Sequence, residues 1–167
     1  LLQLIYIFVF AKAEDYILRA DLGDRQENQL KDYSEAIRLL GKRRSEGKAA
    51  LLMTRARLFK ALLYLAEKQH DSALSELKES QREIDSHFPR ALELLKVEDY
   101  RAVVAGLQDR ALKMSRGEAE AFFWLFITVE IMNSRAAIYE ELGQPGKAKT
   151  EYQYLCERLK DDQACRN

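Results

Sequence analysis

Proline occurs only twice and glycine seven times in 167 residues. Turns are therefore few, which favours long helices over a many-stranded sheet. Cysteine is equally scarce. Cys156 and Cys165 are the only two, too few for a disulfide-built miniprotein, so the chain must fold on an apolar core. Neither charge sign dominates: 27 basic and 27 acidic residues, interspersed along the chain, give a formal net charge of zero. That balance lacks the concentrated basic face a nucleic-acid partner needs. The short run Lys42-Arg43-Arg44, followed by Lys48, reads as helix-end charge complementing the dipole. GxSxG, P-loop, GxGxxG, HExxH, EF-hand and CxxC patterns are all missing, and the two histidines, His70 and His87, are distant in sequence. No catalytic residue, metal site or cofactor is expected. The adjacent carboxylates Glu14-Asp15, Glu140-Glu141 and Asp161-Asp162 read as solvated charge, because neighbours on a helix point to different sides.

What is present is helical periodicity. Apolar residues make up 47% of the chain, enough for one sizeable core. Leu30, Tyr33, Ile37 and Leu40 follow i, i+3, i+7, i+10, one face of an amphipathic helix that stops between Gly41 and Gly47. A second helix is expected from about Ala49 to Lys68, with Met53, Ala56, Leu58, Ala61, Leu62 and Leu65 inward. A third starts near Asp71, suited to an N-cap, and carries Ala73, Leu74, Leu77 and Ile84. Pro89 marks the next start, with a break near Val97-Glu98-Asp99 before a helix carrying Tyr100, Val103, Val104, Leu107 and Ala111. Glu118 to Leu142 contains no breaker and is apolar nearly all round between Ala121 and Val129, the pattern of a central helix. Gly143 ends it, and Pro145 opens a last helix to about Leu159.

The N-terminus bears on compartment. LLQLIYIFVF, Leu1 to Phe10, has the length of a signal-peptide h-region, and Ala11-Lys12-Ala13 has the small-x-small pattern that signal peptidase cuts after. Residues 1–13 then form a signal or N-terminal apolar segment, and 14–167 a single helical domain. With no initiator Met and no basic n-region, either the chain is a fragment or the run is an ordinary buried helix or strand. The run is shorter than the roughly 20 residues of a membrane span, so membrane association is expected only if residues 1–10 stay uncleaved. Cys156 and Cys165 are close enough for a loop-closing disulfide in an oxidising compartment; the alternative is a small buried hydrophobe and a tail thiol.

The segment Ala136 to Leu159, AAIYEELGQPGKAKTEYQYLCERL, resembles the tetratricopeptide repeat, with Ala136, Tyr139, Gly143, Ala148 and Tyr152 at its signature intervals. Small Ala136 and Ala148 would let two helices approach closely. A second match, Arg57 to Asp85, has Ala61, Tyr64, Ala73, Leu77 and Ser80 at the same intervals, with Lys68 in place of the turn glycine. A weaker third, Leu22 to Leu39, has Gly23, Tyr33 and Ala36 but one extra residue. These give repeats at about 57–85 and 132–159, and a degenerate one at about 14–40. Ala61 and Ala136 stand 75 positions apart, whereas two periods of about 34 make about 68, so the repeat between them is enlarged, between Ser86 and Asp99. Extra length is also expected around Gly41 to Gly47.

The resemblance implies an all-α fold of stacked antiparallel helical hairpins, an irregular tetratricopeptide-like α-solenoid. It implies a non-enzymatic protein-protein interaction scaffold, holding a peptide or helix in a concave groove. Arg55, Leu58, Leu62 and Leu65 in one repeat, and Glu130, Asn133, Ala137 and Glu140 in another, would approach that groove. Taken with the N-terminus, the expected place is the bacterial cell envelope, periplasmic or otherwise exported, with the cytoplasm as the alternative. Two other functions stay open. One is a self-assembling subunit that forms homo-oligomers through Phe122-Phe126. The other is a small-ligand carrier whose pocket the irregular insertion encloses.

Overall fold

A computed structural model describes residues 2–43, 46–96 and 114–159. Among these residues the chain is all-α, with seven helices and no strand. The helices are α1 (Leu2–Leu22), α2 (Gln26–Gly41), α3 (Gly47–Ala66), α4 (His70–Lys78), α5 (Gln81–Leu95), α6 (Arg116–Glu141) and α7 (Pro145–Leu159). The chain divides into two compact units, Leu1–Glu83 and Ile84–Asn167, with α5 running across the division.

In the first unit each helix packs on the next in sequence, and α1 also touches α3. Ala13, Ile17 and Ala20 from α1, Tyr33, Ala36 and Leu40 from α2, and Ala49, Met53 and Ala56 from α3 form one buried cluster. Each triplet has the three- and four-residue spacing of a single helix face. Five of the nine are alanines, all fully buried, which lets the three backbones approach closely. Between α3 and α4, Arg57 (3.5 Å) and Lys60 (2.5 Å) both reach the Glu76 carboxylate.

The second unit buries Ile84, Phe88 and Ala91 of α5, a broad face of α6 from Ala121 to Tyr139, and Ala148, Leu155 and Leu159 of α7. His87 stacks on Trp124 at 4.6 Å, and Phe88 on Tyr154 at 6.3 Å. By length and apolarity α6 would pass for a membrane span, but 56% of that stretch is buried within the protein, as expected of a core helix. Ser115 and Glu118 close a reciprocal capping box at its start: the Glu118 amide donates to Ser115 Oγ, and the Ser115 amide to Glu118 Oε2.

Two helix starts differ from the sequence expectation. Pro89 lies inside α5, which begins eight residues earlier at Gln81. Ile84, Phe88 and Ala91 bury one continuous face across the proline, and that packing outweighs the roughly 3 kcal/mol cost of an interior proline. The helix expected near Asp71 ends at Lys78, and Ile84 belongs to α5. Asp71 is not its N-cap but sits in its first turn, where the dipole favours an acid. Leu62, expected inward, is 43% exposed. The helix expected to carry Tyr100, Val103, Val104, Leu107 and Ala111 lies outside the described residues, as do Cys165 and the break at Val97-Glu98-Asp99. Cys156 is half-buried on α7 and is not a free thiol.

The turns after α3 and α6 share one geometry. Gly143 has φ +68°, its amide donates to the Glu140 carbonyl (3.0 Å), and the Gln144 amide to the Tyr139 carbonyl (2.7 Å). Lys68 has φ +57°, its amide donates to the Leu65 carbonyl (2.9 Å), and the Gln69 amide to the Tyr64 carbonyl (2.9 Å). Both are Schellman closures, one on glycine and one on a residue with a Cβ. A left-handed conformation costs a non-glycine residue about 1–2 kcal/mol. Gly143→Ala is therefore expected to destabilise by about 1 kcal/mol and Lys68→Gly to stabilise by up to about 1 kcal/mol. Urea midpoints of the two variants check the opposite signs, and two shifts of the same sign would refute the shared-turn account.

Candidate functional site

In the first unit a groove of about 440 Å³ opens among the C-terminal end of α1, the middle of α2 and α3. Its lining is Asp21, Gln29, Tyr33, Arg55, Phe59, Leu62 and Leu63. Local chemistry at the end of α1 places Asp21. The Gln29 side-chain amide donates to the Ala20 carbonyl (2.9 Å), and so does the Gly23 amide (3.3 Å), satisfying a carbonyl the helix leaves open. A Cβ on Gly23 would lie 3.0 Å from Gln29 Cγ and 3.1 Å from the Arg19 carbonyl oxygen, tighter than ordinary contacts, so a side chain here would press on Gln29 and the end of α1. On the α3 side, Gln26 donates to the Leu63 carbonyl at 2.8 Å.

Four of the lining side chains form a closed cycle. The Tyr33 hydroxyl donates to Asp21 Oδ1 (2.6 Å), and Arg55 donates to Asp21 Oδ2 (2.5 Å). The Arg55 guanidinium lies over the Phe59 ring at 5.1 Å, and that ring stacks on Tyr33 at 6.2 Å. Each member is thus held by two others, while Phe59 and Leu62 remain 38% and 43% exposed. The site offers an apolar floor beside a rim of polar groups whose charges are already matched.

Burial, then the hydrogen bond and charge of Asp21, push the Tyr33 phenol far above its ordinary value of 10.0, against the opposing pull of Arg55. Because the folded-state value is the higher one, this contribution to stability is complete below about pH 10 and is lost as pH rises beyond it. Alkaline titration above about pH 10 is expected to destabilise the protein, and Tyr33→Phe to flatten that dependence. Chemical denaturation at stepped pH values checks this, and identical slopes for both proteins would contradict it.

The residues singled out in sequence fall in different places. Arg55 and Leu62 line the groove and Leu65 is half-buried, but Leu58 is only 5% exposed and belongs to the core. The outward stripe of α3 runs through half-buried Arg55 and exposed Phe59, Leu62 and Ala66, so Phe59 takes the place expected of Leu58. Phe59, Tyr33 and Asp21 were missed as site residues. Phe59 is one of several adjacent apolar positions on α3, and Tyr33 and Asp21 meet only in three dimensions. Glu130, Asn133, Ala137 and Glu140 are all exposed on α6, in the second unit, and share one stripe with Phe123 and Phe126. Of the aromatic run, Trp124 and Leu125 are buried, Phe122 is half-buried, and Phe123 and Phe126 face outward. Glu140 is tied to α7: burial first, then the Glu140 charge and a hydrogen bond to it, raise the Tyr152 phenol.

Among the described residues no group of three or more His, Cys, Asp or Glu is placed to hold a metal. Comparison with family models, with curated proteins and with solved structures finds no match to this chain.

Proposed function

We propose that this protein is a non-enzymatic interaction scaffold of tetratricopeptide-like hairpins that works in the bacterial cell envelope and holds a peptide or helix in the groove of its first unit. The observation that carries this reading is the groove floor: Phe59 and Leu62 are exposed yet Phe59 is fixed by Arg55 and Tyr33. A pre-positioned aromatic in a concave site is the usual anchor of a protein interface. The repeat-like register is supported by the matching turns at Lys68 and Gly143 and by the three-residue links that join α1 to α2, α3 to α4 and α6 to α7.

Export would require a cut inside a helix. α1 continues unbroken through Ala11-Lys12-Ala13; processing after Ala13 would remove that buried alanine but leave Ile17 and Ala20 in the core. N-terminal sequencing of the native protein tests it, with Glu14 as the expected first residue.

Selection of peptides against the chain is expected to yield ligands sharing an apolar anchor residue. Phe59→Ala should weaken them at least about tenfold, the effect of losing an interface anchor, with Glu79→Ala, on an exposed turn, as the neutral control. Ligands that bind equally well to the Phe59→Ala protein would remove the groove from the proposal.

A further inference from the structure

Arg116, Phe123 and Glu130 recur at seven-residue intervals along α6, with Phe126 between the last two. Seven residues are two helical turns, about 10.5 Å, so the three share one face. All four side chains are exposed, Phe123 at 54% and Phe126 at 47%. Along this face the order is cation, apolar pair, anion. Arg116 stands in the first turn, where the helix dipole disfavours a cation. Among the described residues neither Arg116 nor Glu130 is held in an ion pair. A locally unfavourable charge, an uncovered apolar pair and an available counter-charge on one stripe need a common explanation.

We propose that α6 pairs antiparallel with α6 of a second copy of this chain, about a twofold axis beside Phe123 and Phe126. Such an axis brings the two aromatic pairs together and removes them from water. It also sets Arg116 within about one helical turn of the partner's Glu130, and Glu130 equally near the partner's Arg116. A parallel pairing would instead set like charge against like, which is repulsive. A purely apolar partner would leave both charges unmatched, and a purely basic one would leave Arg116 unmatched. The second copy matches both, because the sequence of charges along the stripe is complementary to its own reverse. This pairing lies wholly in the second unit and does not depend on the groove reading.

Sedimentation equilibrium of the full chain tests the proposal. The expected result is a species of twice the chain mass that dissociates on dilution. Arg116→Glu or Glu130→Arg alone should weaken it about tenfold or more, since each change turns both symmetry-related pairs repulsive. The double variant Arg116→Glu/Glu130→Arg should recover dimerisation, which a merely general charge effect would not do. Phe126→Ser should give a monomer with an unchanged helical circular dichroism spectrum, because the ring is not part of the core. A monomer at every concentration, a dimer indifferent to Phe126→Ser, or a double variant no better than the singles would each overturn it.

Discussion

Arg135→Met is expected to destabilise the protein by about 3–5 kcal/mol, the range for stripping one partner from a buried ion pair. Arg135 Nη2 lies 2.7 Å from Glu151 Oε1, and the two side chains are only 12% and 9% exposed. The pair joins α6 to α7 across the turn at Gly143. Methionine can refill much of the space left by the arginine stem, so the cost falls on the carboxylate, which loses its cation where water scarcely reaches. Arg135→Met/Glu151→Leu should then recover most of the loss, since two well-packed apolar residues replace such a pair at little or no net cost. Urea midpoints at constant m-value give both numbers. A single variant within about 1 kcal/mol of wild type would show that the pair is effectively solvated.

Phe88→Ala has a comparable expected effect, about 3–5 kcal/mol for a fully enclosed aromatic. Phe88 is completely buried and its ring stacks on Tyr154, so it links α5 to α7. The substitution carries a second readout. Burial is the first cause that raises the Tyr154 phenol, and opening a cavity beside it should return its ultraviolet titration toward the ordinary tyrosine range. Loss of stability with no change in that titration would mean that α5 merely relaxes into the cavity.

Much of the helical layout was legible because it depends on local chemistry. The spacing of Tyr33, Ala36 and Leu40, the stop at Gly143 and the restart at Pro145 each follow from backbone and burial rules that operate within a few residues. The alignment of Lys68 with a turn glycine was also readable, and Lys68 indeed adopts the left-handed geometry of Gly143. Pro89 misled because a proline announces a helix start only when packing does not carry the helix through it. The groove was half legible. Arg55 and Leu62 could be reached by counting along α3, but an error of one position exchanged core Leu58 for surface Phe59. On a helix with apolar residues at Leu58, Phe59, Leu62, Leu63 and Leu65, periodicity cannot choose which stripe faces the neighbours. The meeting of Asp21 with Tyr33 and Arg55 depends on how three helices cross, which no single helix records.

The ring of contacts through Asp21, Tyr33, Phe59 and Arg55 has a consequence for how a ligand would arrive. Two flexible side chains and two aromatic rings are already ordered before anything docks, so the entropy of fixing them falls on folding and not on association. Complex formation should accordingly follow a single concentration-dependent phase, without a slower rearrangement after encounter. Differences among ligands should then reside in how long each one stays rather than in how fast it comes.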